Sequence, residues 1–183
     1  MSGYYYHGVE AYYGTLGYSA NLIVKMLEEG IIVRSTARGF EDEELRHVCL
    51  YKKNEEYDYS SPDASLESAR GGWIDGQFVL IINPEIKARK ATSNETNLVD
   101  EWRCDSNIPP TDIVGIALPF KYIEEYLDEE SLDEEEEKDH ELLRTSIKRI
   151  REIAKALNIE IYDSEEKDFT DKIDATLSNQ KQQ

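Results

Sequence analysis

Phe78-Val79-Leu80-Ile81-Ile82 is a run of five apolar residues with no polar alternate. Successive strand residues point to opposite faces, so such a run leaves neither face for solvent and must lie at the centre of its sheet. Asn83-Pro84 ends it. The other extended candidates arrange themselves around this one: residues 4–9, 31–33, 47–51, 100–104, 113–118 and 159–162. Ahead of the tail, helical spacing is confined to three places. Leu22, Ile23, Met26 and Leu27 share a face within 19–29, with Ser19 as the expected cap and Gly30 as the stop. A short helix is expected over 122–127. A longer one runs from 141 with the stripe Leu143, Ile147, Ile150, Ala154 and Leu157, and Asn158 ends it. Strands outnumber helices and do not alternate with them, which predicts an α+β fold. A chain of 183 residues suits one domain. That domain is expected over 1–162, followed by a weakly structured tail over 163–183. In the tail Phe169, Ile173 and Leu177 have the spacing of a short helix, and 178–183 is expected to be disordered. Gly14 and Gly17 are expected to give turn freedom ahead of the first helix. Residues 52–72 form a polar insert of the length often used for a lid or binding loop.

The net charge of −18 is not spread evenly. Eleven acids and one lysine fall within 124–139, a net of −10, which leaves −8 for the rest of the chain. The run is expected to be a solvated linker or helix edge, because its like charges repel. Non-specific nucleic-acid binding depends on Lys and Arg neutralising phosphates, so this balance disfavours it. Cys49 and Cys104 have no metal spacing and make no disulfide framework. No apolar run reaches membrane-spanning length, and no basic segment precedes an apolar one at the start, so cytoplasmic residence is the default expectation.

Chemistry-bearing residues stand out in two stretches. The first is Tyr4-Tyr5-Tyr6-His7-Gly8-Val9, an extended run with one titratable group and a glycine that permits close backbone approach. The second is Asp100-Glu101-Trp102-Arg103-Cys104-Asp105-Ser106-Asn107-Ile108-Pro109-Pro110-Thr111-Asp112-Ile113. A strand ending in His-Gly, a short amphipathic helix, and a downstream Glu opening a strand together resemble the ADP-ribosyltransferase fold. The closest group is the one with a His, Tyr, Glu signature, to which diphtheria-type toxins and poly-ADP-ribose polymerases belong. The second stretch is also similar to the matching segment of bacterial DNA-targeting ADP-ribosyltransferase toxins. The resemblance covers residues 4–118.

It implies split β-sheets with flanking helices, NAD as a substrate, and no metal. His7 and Gly8 would grip the nicotinamide ribose and amide, and Glu101 would be the catalytic carboxylate. Tyr51 would be the catalytic tyrosine, with Cys49 beside it at a position where many members carry a small hydroxyl residue. Tyr57 and Tyr59 lie behind them. Arg34 or Arg38 would meet the pyrophosphate. Cleavage of the nicotinamide–ribose bond builds positive charge on the sugar, which a nearby carboxylate stabilises. The implied activity is mono-ADP-ribosyl transfer to an unknown acceptor, with a protein or small molecule favoured over nucleic acid, or NAD glycohydrolysis if no acceptor is used. All of this requires His7, Cys49 or Tyr51, and Glu101 to line one cleft between two small sheets. Two other readings stand beside it. One is a nucleotide-binding relative without catalysis. The other is an acidic interaction or immunity protein whose 124–139 run meets a basic partner.

Overall fold

The computed structural model describes residues 3–35, 46–61, 74–166 and 169–182. Its strands are β1 (Tyr5–Val9), β2 (Arg34–Ser35), β3 (Arg46–Tyr51), β4 (Phe78–Ile82), β5 (Arg89–Lys90), β6 (Glu101–Cys104), β7 (Ile113–Leu118) and β8 (Ile161–Asp163). Its helices are α1 (Leu16–Glu29), α2 (Phe120–Leu127), α3 (Glu134–Leu157) and α4 (Phe169–Lys181), with a single 3-10 turn at Pro110–Asp112. Helices and a mixed sheet together make the protein α+β. Among the described residues no helix is long and apolar enough to cross a membrane.

The sheet runs β5-β6-β3-β1-β4-β7-β8, with β2 paired to β3 off that path. Every neighbouring pair is antiparallel except β7 with β8. All five residues of β4 are fully buried, as an all-apolar strand requires. Phe78, Leu80 and Ile82 face one core, with α1, α2 and α3 over it. Val79 and Ile81 face a second core with Tyr4, Tyr6, Tyr51 and Ala117, closed by Phe169 and Ile173 of α4. Each of the Val, Leu, Ile and Phe side chains buried here contributes about 1.5–3 kcal/mol relative to exposure.

The expected pair of small sheets is one sheet instead, although it is narrowly joined. β1 and β3 share a single register pair, Tyr6 with Tyr51. Beyond it the Cys49 carbonyl is taken by a side chain: His7 Nδ1 lies 2.8 Å away and donates to it. The tail over 163–183 forms the helix expected from Phe169, Ile173 and Leu177, and that helix runs on into the stretch expected to be disordered. It contains β8's last residue and then α4, which continues through Lys181, with Phe169 and Ile173 buried in the second core. The strand expected over 31–33 is reduced to one bridge between Ile31 and Ile108.

Helix boundaries follow local chemistry. α3 starts at Glu134, earlier than the apolar stripe indicates, because Asp133 and Glu136 form a reciprocal capping box. Its first turn holds Glu134, Glu135, Glu136 and Glu137, where carboxylates favour the helix dipole. Asn158 closes it in the left-handed conformation, as expected. α1 starts at Leu16, so Ser19 is not its cap; the Ser19 hydroxyl donates to the Glu10 carbonyl at 2.6 Å. Gly17 lies inside α1 rather than in a turn. A Cβ there would stand 2.2 Å from the Asp139 carbonyl and 2.9 Å from the Leu143 amide nitrogen, so its absence lets α1 and α3 meet backbone to backbone. Gly17→Ala is expected to lower stability by about 1–3 kcal/mol, the usual effect of overpacking. Urea unfolding measures it, and an unchanged midpoint would mean that the two helices separate without penalty.

Candidate functional site

β3 and β6 pair so that Tyr51 stands opposite Glu101 and Cys49 opposite Arg103. Tyr51 belongs to the second core, so Cys49, Tyr51, Glu101 and Arg103 share the α4-side face of the sheet. Alternation along β1 puts Gly8, paired with Val79 of that core, on the same face. His7 falls on the other face. It pairs with Leu80 and alternates with Tyr5 and Val9, all of the first core. The structure therefore brings Gly8, Cys49, Tyr51 and Glu101 to one face and leaves His7 behind it. The expected single cleft lined by His7 and Glu101 is not formed, because the continuous β1–β4 register fixes which side each residue takes. β2 carries the Arg34 backbone, and its pairing is with His47. The Arg34 side chain and Arg38 lie outside the described residues, as do 62–72 of the expected binding loop.

Glu101 is 6% exposed, and its Oε2 accepts from Arg103 Nε at 2.8 Å. Arg103 also donates to the Glu95 carboxylate at 2.9 Å and to the Glu95 carbonyl at 3.2 Å. Arg89 reaches Glu95 with two nitrogens and Asp105 with Nε. The carboxylate proposed to meet a developing cation is thus already half of an ion pair, inside a chain of alternating charges. Burial, then the Glu101 charge, push the Cys49 thiol up to about 11, away from thiolate chemistry. His47 is held below its ordinary value, first by burial and then by Arg103. Tyr51 is fully buried and packs on the Tyr6 ring at 6.1 Å. Sequence reasoning missed Arg103, although Glu101-x-Arg103 on a strand places both on one face. It also missed Glu95 and Arg89, whose meeting depends on how β5 returns to β6.

A different surface gathers at the junction of α1, α2 and α3. Asp139 of α3 accepts from the Gly17 and Tyr18 amides at 3.0 and 3.1 Å, capping α1 from another helix. The same carboxylate accepts from the Tyr126 hydroxyl at 2.7 Å. The Tyr126 ring packs on the buried His140 at 4.2 Å and on Tyr13 at 5.0 Å. Tyr13 also meets Tyr122 at 6.1 Å. Hydrogen bonding to Glu129, then partial burial, push Tyr13 up to about 12. Tyr12, Tyr13 and Tyr18 are 61%, 51% and 59% exposed. Glu129, Glu136 and Asp139 of the 124–139 run stand near them, and nine of the run's eleven acids are exposed. The acidic run is as solvated as expected, but Asp133, Glu136 and Asp139 within it hold helix ends. Nothing local separates Asp139 from its acidic neighbours, so its role was not readable from spacing.

Glu95 sits well below the ordinary carboxylate range, first because Arg89 donates to it and then because the Thr92 amide does. A folded-state value held below the unfolded one adds stability that is complete above about pH 4.5 and is lost as acid protonates the group. Glu95→Gln is expected to lower the unfolding midpoint at neutral pH, and its difference from the wild type should shrink as pH falls below about 4.5. A difference that stays constant down to about pH 3 would remove the Glu95 charge from the account.

Comparison of the chain with protein-family models, with curated proteins and with solved structures finds no match. A functional reading therefore rests on the two surfaces just described.

Proposed function

We propose that the protein is an acidic interaction protein whose tyrosine-bearing face meets a basic protein surface. The observation that carries this reading is the cluster of Tyr12, Tyr13 and Tyr18, each more than half exposed, beside Glu129, Glu136 and Asp139 of the acidic run. Tyrosine offers large amphipathic contact area at low cost in rotamer entropy, which is why it recurs among binding hot spots. The surrounding carboxylates would steer a basic partner and set its orientation. Their placement supports this use. Asp139 fixes the ends of α1 and α2 relative to α3, so Tyr18 stands on an anchored helix, and Tyr13, in the turn before α1, is held by its packing on Tyr126.

The test compares wild type with a Tyr13→Ala/Tyr18→Ala variant in affinity capture from cells of the source organism, quantified by mass spectrometry. A basic protein is expected with the wild type and at least about tenfold less of it with the variant, as loss of a hot spot gives. Measured on the purified pair, affinity should fall as salt rises. A captured partner indifferent to both the variant and salt would sink the reading.

The NAD-dependent transferase is the second reading. Its support is the shared face of Gly8, Cys49, Tyr51 and Glu101; His7 lies on the other face and drops out of the ribose-holding role expected of it. Incubation with NAD should then release nicotinamide. Glu101→Gln should slow release by roughly a hundredfold while leaving NAD affinity similar, because a charge that stabilises the transition state hardly affects the ground state. A thermal melt separates this from the loss of the Arg103 pair. No nicotinamide release by the wild type would leave the interaction reading alone.

A further inference from the structure

α3 changes character along its length. Its first turn is acidic, whereas Arg144, Lys148, Arg151 and Lys155 recur along one edge of its second half at helical spacing. That edge borders a groove of about 750 Å³ between α2 and α3, at the other end of α3 from the tyrosines. Phe120, Ile123, Leu127 and Ile147 give it an apolar floor. Glu124 and Asp128 of α2 form the facing wall.

The helix dipole accounts for little of the basic edge. It acts within the last turn, and of these four residues only Lys155 lies there. Internal pairing accounts for little of it either. Arg149, off the groove, is bonded to Glu28, and Arg144 approaches Glu141 only at 4.0 Å. Among the described residues Lys148, Arg151 and Lys155 have no ion-pair partner, in a chain of 39 acids against 21 bases. Three unpaired cations beside an uncovered apolar floor call for an occupant that supplies carboxylates and apolar side chains together.

We propose that this groove docks an amphipathic helix from a partner protein. Its apolar anchors, spaced i, i+4 and i+7, would fill the floor between Phe120 and Ile147. The edge facing α3 would carry carboxylates for Lys148, Arg151 and Lys155, and the edge facing α2 would be neutral or basic, opposite Glu124 and Asp128. Opposite charges on the two walls fix which way round the helix sits. A bilayer is a poorer occupant, since the site is concave and a net charge of −18 opposes an anionic surface. A second copy would bring the same charge of −18 against this chain.

The probe is a displayed library of helical peptides about four turns long, randomised at surface positions. It is selected on the wild-type protein and counter-selected on the Lys148→Glu/Arg151→Glu variant, so that only groove binders survive. Both positions are exposed, and a thermal melt confirms that the variant folds. Survivors should carry apolar anchors at i, i+4 and i+7 with acids along one edge. Their affinity should fall at least about tenfold on the variant and weaken with salt. No enrichment, or survivors basic along that edge, would overturn the proposal. So would sedimentation showing a wild-type dimer that the variant dissolves, since the occupant would then be a second copy. Binding to vesicles of phosphatidylserine that exceeds peptide binding and is lost in the variant would overturn it in favour of a membrane.

Discussion

A strand with no solvent face governs this structure. Because Phe78 to Ile82 are all buried, the sheet must be covered on both sides, and the chain has to supply two cores instead of one. The first is built by α1, α2 and α3, whose amphipathic faces are plain in the sequence. The second falls to α4, a weakly amphipathic helix that contributes chiefly Phe169 and Ile173. Tyr4, Tyr6 and Tyr51 would otherwise stand open on that side, which is why the C-terminal segment is ordered despite its polar composition.

The second organising group is Asp139. One carboxylate takes two amides at the start of α1 and the hydroxyl of Tyr126, so three helices are referenced to a single side chain. Gly17 permits this by leaving room for the α3 backbone. The surface at that junction is therefore acidic and rigid at once. Most of a solvated acidic run contributes little to packing, and here a few of its members set helix geometry while the remainder stay available to solvent or to a partner.

What was legible in the sequence was whatever depends on near neighbours. β1, β3, β4, β6 and β7 stand where composition and period place them, and α1 and α3 follow their apolar stripes. The stop at Asn158 was readable because its αL preference is local. Arrangements that depend on distant partners were not. Whether the strands make one sheet or two turns on a single pair, Tyr6 with Tyr51, and on a histidine side chain that replaces the next link. The two-residue β5 has no pattern of its own and exists because Arg89 and Lys90 lie beside β6. For the candidate site, alternation within one strand put Cys49 and Tyr51 alike, but relating them to Glu101 takes the β3–β6 register. The face of His7 relative to theirs required the β1–β4 and β1–β3 registers, which no local pattern contains.

The second core joins residues from opposite ends of the described chain. The Tyr4 amide donates to Asp174, and the Tyr6 hydroxyl donates to the Thr170 carbonyl across 164 positions of sequence. During synthesis β1 is made well before α4 and waits for it. Until residues 169–174 emerge, Tyr4, Tyr6 and Tyr51 lack the cover of α4, so this face of the sheet stays open while the residues between are made. Such non-local closure slows folding. It leaves an aromatic surface exposed between the synthesis of β3 and that of α4, and that interval is when a nascent chain of this design most needs protection from its neighbours.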